Sequence, residues 1–292
     1  MLTIFKKALL PSILALGLTA GASAEEAQPL SLKVYTADSN FNVTSTLVSG
    51  KTDAVLIDAQ FTLADAHRVV AEVLASGKTL KTVYISHGDP DYYFGLEVVR
   101  QAFPKVQIVA TATTVAHIQA SYQKKLEVWG PRLGVNGPRT VIIPQAIQQN
   151  FIELEGQRLE IVAPDAGLPE NTFVWIPAIK AVVGGVLVFG DLHVWTADTQ
   201  QPVQRQAWLR KLDSIIALEP KTVVPGHIKP GSATDVGAVR YTRDYLANFE
   251  VELGKAKDAA ELIKAMQKRY PGSGLGIALD IGAKVNKGEM KW

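Results

Sequence analysis

Apolar runs that alternate with amphipathic segments are the feature of this sequence that most restricts its fold. Runs of Val, Ile, Leu and Ala are separated by stretches with helical spacing of apolar side chains, the first of which ends at Gly77. The predicted strands are 54–58, 82–86 and 106–110, and the predicted helices are 63–76, 94–103 and 113–124. This β-α-β-α-β-α order is typical of an α/β layered structure.

The flanking segments and the second half of the chain extend the same pattern. Strands are predicted at 30–35, 45–48, 157–162, 172–176, 181–189 and 222–224, and helices at 202–218, 235–253 and 258–269. Each half supplies strands first and helices afterwards, as in two α/β halves that face one another. A Gly- and Pro-rich stretch at 129–144 predicts a loop, either beside an active site or as a simple surface connection.

The first 24 residues have the layout of a secretory signal peptide. Lys6 and Lys7 precede an apolar run that reaches about Leu18, and residues 22–24 form a small-x-small cleavage pattern. The run is too short for a membrane anchor, which needs about 20 apolar residues. We therefore predict cleavage after Ala24, export to the periplasm and no membrane contact afterwards.

The charge balance argues against a nucleic-acid partner. The chain carries 30 basic and 28 acidic residues, and the predicted cleavage removes two lysines and no acid. The predicted mature chain is therefore neutral and lacks the basic excess that binds phosphate backbones.

Residue types that are missing exclude several chemistries. The absence of cysteine excludes a disulfide scaffold, thiolate zinc sites and a cysteine nucleophile. No G-x-S-x-G, P-loop or G-x-G-x-x-G pattern is present, which argues against a serine hydrolase or a nucleotide enzyme. Of the five histidines, His67 and His117 lie in predicted helices without a partner at metal-binding spacing, and we interpret both as structural or exposed.

The loop Ser-His-Gly-Asp-Pro-Asp at 86–91 directly follows a predicted strand and precedes a helix, where an α/β fold exposes its strand ends. His87, Asp89 and Asp91 occupy alternating positions in it. An imidazole and two carboxylates on a tight loop can converge on a cation. The alternative is a hydrogen-bonded turn in which the two aspartates cap the following helix.

A second histidine follows another predicted strand. In Val-Val-Pro-Gly-His at 223–227, His227 begins the loop after the strand. A lone histidine at a strand end is usually structural. The case for a functional role of His227 therefore rests on its position at the same sheet edge as His87.

In order, these motifs resemble the metallo-β-lactamase superfamily. Its pattern is a strand ending in Asp, an H-x-H-x-D-H loop, a G-H-T-x-D-N-type loop, a strand with a bridging acid or Cys, and a late P-G-H. Asp58 matches the strand-end Asp, residues 87–92 match the first loop, and His227 matches the late histidine. Residues 164–177 resemble the third motif with its strand, and 180–186 resemble the strand with the bridging ligand.

The resemblance spans roughly residues 30–231. It implies a four-layer αββα sandwich of the metallo-β-lactamase type. We therefore predict one such domain over residues 25–292, with the C-terminal helices included.

The chain departs from the family pattern at the metal ligands. Asp89 stands at the second histidine of the loop, Tyr92 at its last histidine, and Gly167 or Leu168 at the histidine of the third motif. The bridging position is Val186, which cannot bind a metal. The resemblance then implies two protein ligands for each half-site, and one ion rather than two.

The predicted ligands of that ion are His87, Asp89, Asp91 and His227. Two histidines with a carboxylate are a recognised set for zinc, and also for non-haem iron, the alternative metal. In the catalytic role that the resemblance implies, Asp91 also orients the attacking water. Tyr92 donates its phenol to a substrate oxygen, or instead packs on the start of the helix.

Three further residues are candidates at or near the site. Asp58 is predicted to fix the loop from behind the ligands. His193 is a pocket or ligand candidate, with packing beside Trp195 as the alternative, and Asp191 is a weaker candidate.

The resemblance implies an exported, metal-dependent hydrolase of a small ester, lactone or amide, in which a metal-bound water attacks the carbonyl. The first alternative is a member that has lost catalysis and binds a small ligand or a protein. The second is a mononuclear iron oxidoreductase. The sequence identifies neither the substrate nor the oligomeric state.

Overall fold

The computed structural model describes residues 1–2, 28–37, 41–162 and 165–292. The signal peptide predicted at 1–24 therefore lies outside the described residues, apart from its first two. In the described part of the chain, no helix is long and apolar enough to cross a membrane.

The first sheet has six strands in the order of the chain. Its strands are β1 (Ser31–Thr36), β2 (Thr44–Ser49), β3 (Asp53–Ile57), β4 (Thr79–Ile85), β5 (Gln107–Ala110) and β6 (Gln145–Ala146). The first three strands pair antiparallel, and β3 to β6 pair parallel. The helices that connect the parallel strands are α1 (Leu63–Ala75), α2 (Pro90–Tyr93), α3 (Leu96–Ala102) and α4 (Ala112–Leu133).

The second half forms a five-stranded sheet and a small two-stranded sheet. The strands are β7 (Phe151–Leu154), β8 (Gln157–Val162), β9 (Phe173–Ile176), β10 (Ala181–Val183), β11 (Phe189–Gly190), β12 (Thr222–Val223) and β13 (His227–Ile228). The larger sheet has the order β12-β10-β9-β8-β7, and β11 pairs parallel with β13. The helices are α5 (Pro202–Ala217), α6 (Val236–Lys255), α7 (Ala259–Arg269) and α8 (Gly276–Asn286).

Alternation along the strands produces the layers. In β3, Val55 and Ile57 belong to the apolar cluster shared with Val174 of the second sheet, whereas Leu56 belongs to the cluster that contains Val69 of α1. Successive side chains of a strand point to opposite faces, so each sheet packs on the other sheet with one face and on helices with the other. This is the predicted αββα order.

Glycines lie at the boundaries of two predicted elements. The helix predicted at 94–103 begins at Leu96, directly after Gly95, where a Cβ would lie 1.9 Å from the carbonyl oxygen of Ala59. The strand predicted at 181–189 is divided by Gly184 and Gly185, whose φ angles of 72° and 81° favour glycine.

The predicted loop at 129–144 was wrong at its start, because α4 continues to Leu133 with Pro131 inside its last turns. Trp129 packs edge-on against Phe41 and Phe61, with ring centroids 5.3 and 5.7 Å apart. This packing holds the last turns helical although Pro131 lacks an N–H to donate.

Candidate functional site

Asp58 and Ser86 begin the site from neighbouring parallel strands. Asp58 follows β3 with a φ of 65°, and its carboxylate accepts hydrogen bonds from the Ser86 backbone N–H at 2.8 Å and from Ser86 Oγ at 2.6 Å. Ser86 Oγ in turn accepts from the Gly185 N–H at 2.7 Å. Burial raises the pKa of Asp58 to about 7, although both bonds from Ser86 lower it. The start of the 86–91 loop is thereby tied to both sheets.

His87 and Asp89 contact each other at the front of this loop. The Asp89 backbone N–H lies 3.2 Å from His87 Nδ1, and Asp89 Oδ2 lies 3.4 Å from the same nitrogen. The proton on Nδ1 decides which of these two contacts is a hydrogen bond. Burial lowers the pKa of His87, but the Asp89 carboxylate raises it more, so the net shift is upward.

The other carboxylate oxygen of Asp89 binds the ammonium of Lys125, which comes from α4. Burial raises the pKa of Asp89, but Lys125 and His87 lower it well below its usual range. Burial lowers the pKa of Lys125, while Asp89 raises it more, so this side chain keeps its charge.

His227 is held at both ring nitrogens. Its Nδ1 lies 2.8 Å from the carbonyl oxygen of Phe41, which can only accept, so Nδ1 carries the proton and donates. Its Nε2 lies 3.0 Å from the Tyr92 hydroxyl and, in the neutral ring, accepts from it. Burial lowers the pKa of His227 to about 4, so the ring is neutral near pH 7.

Asp91 lies beside His227, with Oδ2 3.5 Å from Nε2. The side chain is buried, and burial together with the nearby Asp89 carboxylate raises the pKa of Asp91 to about 7. The loop therefore carries a carboxylate that is fully charged, Asp89, and one that titrates near neutrality.

The four predicted metal ligands do not form a metal-binding group. Among the residues that the structure describes, no three or more His, Asp or Glu side chains are arranged to hold an ion. Lys125 occupies one oxygen of Asp89, and the phenol of Tyr92 occupies Nε2 of His227. Metal ligands must offer free lone pairs, so these donors do not fit a zinc or iron ion as they stand.

Three of these four residues, together with Lys125, line a cavity of about 610 Å³. Asp89, Asp91, His227 and Lys125 line it, whereas His87 does not. Much of its wall is aromatic, formed by Phe41, Trp129, Phe189, Trp195 and Trp292. A mainly apolar cavity with a few convergent polar groups is typical of small-molecule sites.

Of the other positions that the sequence singled out, His193, Asp191 and Gly167 lie outside the cavity lining, whereas Val186 lies in it. His193 and Asp191 are not among the residues lining the cavity; His193 Nδ1 lies 3.0 Å from the Tyr245 hydroxyl in α6, and burial lowers its pKa. Gly167 packs against α5, where a Cβ would lie 2.8 Å from that of Ala207. Val186 does line the cavity, as an apolar part of its wall.

Sequence reasoning missed several residues of the cavity. Lys125 has no motif around it and reaches the site only because α4 packs over the loop. Asp198 accepts hydrogen bonds from the indole N–H of Trp195 at 2.6 Å and of Trp292 at 2.7 Å. His117, interpreted from the sequence as structural or exposed, also lines the cavity, and its Nδ1 lies 2.7 Å from Glu170.

The family model of the metallo-beta-lactamase superfamily matches residues 39–227, well over half of the chain. The chain belongs to this superfamily. The match confirms the resemblance carried by the strand-end motifs, and the fold agrees with the four-layer sandwich of the metallo-β-lactamase type. Membership of the superfamily supports a hydrolase-like function.

Solved structures of other superfamily members share the fold. A metallo-beta-lactamase family protein from Thermus thermophilus is 15% identical with a TM-score of 0.60, covering 89% of this chain and 93% of that one. A beta-lactamase domain protein from Burkholderia ambifaria is 13% identical with a TM-score of 0.62, covering 89% and 84%. A metallo-beta-lactamase from Pontibacter korlensis is 21% identical with a TM-score of 0.53, covering 75% and 99%. At these identities the likeness extends to the fold alone, and no curated protein matches the sequence significantly.

Proposed function

We propose that this superfamily member hydrolyses a small ester, lactone or amide whose apolar part lies on the aromatic wall of the cavity. The observation that carries the proposal is the position of Asp91, a buried carboxylate that lines the cavity beside the neutral ring of His227. A carboxylate placed in this way can accept a proton from a water molecule that attacks a bound carbonyl carbon.

The proposed reaction needs only water, the substrate and the Asp91 carboxylate. The water oxygen bonds to the carbonyl carbon as Asp91 takes the water proton, and the bond from that carbon to the leaving oxygen or nitrogen then breaks. The proton passes from Asp91 to the leaving group, which restores the carboxylate. No step uses a metal ion, because the donors at the site do not fit one; the iron oxidoreductase needs the same donors and is not proposed.

The test is a panel of aryl acetates, lactones and anilides, assayed with the full chain after dialysis against a chelator. We expect one class to be hydrolysed, and Asp91→Asn to lower kcat/KM by about 100-fold or more, the usual contribution of a general base. The matched control is Asp165→Asn, which removes a carboxylate that pairs with Arg210 outside the cavity lining. Hydrolysis that is equally fast in Asp91→Asn would refute the role of Asp91.

A second candidate function is binding of a small molecule without turnover. It is favoured by the hydrogen bonds that hold His227 at both nitrogens and Asp89 on Lys125. The same panel separates the two candidates, because the tryptophans in the cavity wall report binding by fluorescence. Ligands that quench this fluorescence but remain unhydrolysed would favour the binding protein.

We also propose that the protein is exported to the periplasm after cleavage behind Ala24, on the basis of residues 1–24. Mass spectrometry of the periplasmic fraction should then find a chain that begins at Glu25. An uncleaved chain in the cytoplasm would contradict the proposal.

A further inference from the structure

Lys125 is the one Lys or Arg side chain bonded to the predicted ligands in the described part of the chain, and no motif in the sequence points to it. Lys125 lies in the middle of α4 and extends to Asp89 on the 86–91 loop, 36 residues away. Its side chain is 23% exposed and that of Asp89 is 20% exposed, so the pair is largely shielded from water. A pair in this setting interacts more strongly than one on the surface.

The ammonium occupies an oxygen that a metal ion would need. Asp89 has two carboxylate oxygens: one binds Lys125, and the other lies 3.4 Å from His87 Nδ1. A divalent ion on Asp89 would have to displace the ammonium or lie close beside it, against the repulsion of like charges.

The charge of Lys125 also faces the other acidic groups of the cavity. The carboxylates of Asp91 and Asp198 both attract this ammonium, in addition to Asp89. These three carboxylates of the cavity wall therefore already face a positive charge supplied by the chain itself.

The ring nitrogen of His227 that faces the site is also already bonded to another side chain. The Tyr92 hydroxyl occupies Nε2 of His227, and a Cβ on Gly226 would lie 2.8 Å from that hydroxyl, so the phenol is packed tightly in place.

We propose that Lys125 is the resident cation of the 86–91 loop and takes the place of a metal ion at Asp89. In this superfamily member the positive charge of the site is then a covalent part of α4, and the site does not load zinc.

The experiment is a zinc titration of the full chain by calorimetry, together with metal analysis of protein purified without added metal. We expect the wild type to carry less than about 0.1 metal ion per chain and to bind added zinc weakly. Lys125→Met frees Asp89 and should bind zinc at least about tenfold more tightly. The matched control is Lys124→Met, which removes the adjacent cavity-lining ammonium, one that makes no ion pair with a described carboxylate.

Two further variants test whether the charge at position 125 and the Tyr92 hydroxyl limit zinc binding. Lys125→Arg retains the charge and should remain as poor a zinc binder as the wild type. Adding Tyr92→Phe to Lys125→Met frees His227 Nε2 and should tighten zinc binding further.

Stoichiometric zinc in the wild type would overturn the proposal, even if Lys125→Met fails to fold. Unchanged zinc affinity in a folded Lys125→Met, or an equal gain in Lys124→Met, would also overturn it. Zinc affinity reports the charge of the cavity whether or not the protein hydrolyses its ligand, so these outcomes are separate from those of the hydrolysis assay.

Discussion

The Tyr92 hydroxyl lies 3.0 Å from Nε2 of His227, where both side chains are buried. The carbonyl of Phe41 fixes the proton of His227 on Nδ1, so the phenol is the donor and the imidazole the acceptor. Two positions that the superfamily pattern assigns to metal ligands are thus joined directly to each other. The predicted role of Tyr92 as a donor to a substrate oxygen competes with this bond, and remains a prediction.

Tyr92→Phe should lower the free energy of unfolding by about 1–3 kcal/mol, because it leaves a buried imidazole nitrogen without its donor. Tyr93→Phe is the matched control. Tyr93 is also buried, but its hydroxyl has no hydrogen-bond partner among the described residues, so its removal should be neutral or slightly stabilising. Urea unfolding of both variants measures the difference, and equal losses would contradict the assigned bond.

Because the pKa of His227 is lowered in the folded protein, we expect the fold to lose stability in acid. With a folded-state pKa of about 4 and an unfolded value near 6.5, its contribution to stability is present above pH 6.5 and is lost as the pH falls towards 4. Between pH 7 and pH 5 the loss amounts to about 2 kcal/mol. His227→Gln should lack this part of the pH dependence, so denaturant unfolding at several pH values should give a shallower profile for the variant than for the wild type.

Asp58→Ala should cost about 2–4 kcal/mol of unfolding free energy, because it orphans the buried N–H and hydroxyl of Ser86. Alanine is also poorly suited to the φ of 65° at this position. Asp58→Asn retains an acceptor and tolerates that φ, so we expect a loss below about 1 kcal/mol. Thermal unfolding of the two variants would contradict this account if Asn were as damaging as Ala.

Gly95→Ala should destabilise the fold by about 3 kcal/mol or more, because its Cβ would collide with the backbone carbonyl of Ala59. Gly254→Ala, inside α6 and with open space at its Cβ, should instead stabilise the protein by about 0.5–1 kcal/mol. Chemical denaturation of both variants tests the contrast. A mild effect of Gly95→Ala would mean that the loop after β3 can shift away.

The layer order and the position of the site could be predicted from the sequence. Strand and helix periodicity are local properties, so the apolar runs at 54–58 and 82–86 could be identified without knowing their neighbours. Because β3 and β4 are parallel, the residues that follow them, Asp58 and Ser86, had to meet at one sheet edge.

Some boundaries could not be predicted, since distant contacts decide them. Trp129 keeps α4 helical past the point at which Gly130 and Pro131 predicted a loop, because its ring packs against Phe41. The sequence also does not show that Gly95, just before α3, lies so close to the Ala59 carbonyl that a Cβ would collide with it.

The sequence by itself determined which ligand types are present and which are missing at the superfamily's positions, and it placed His87, Asp91 and His227 near one edge. Only the tertiary structure decided what those groups contact. Lys125 reaches Asp89 across 36 residues, and Phe41 holds His227 across 186. No local periodicity encodes such pairings, because they arise only when α4 and Phe41 pack over the strand ends.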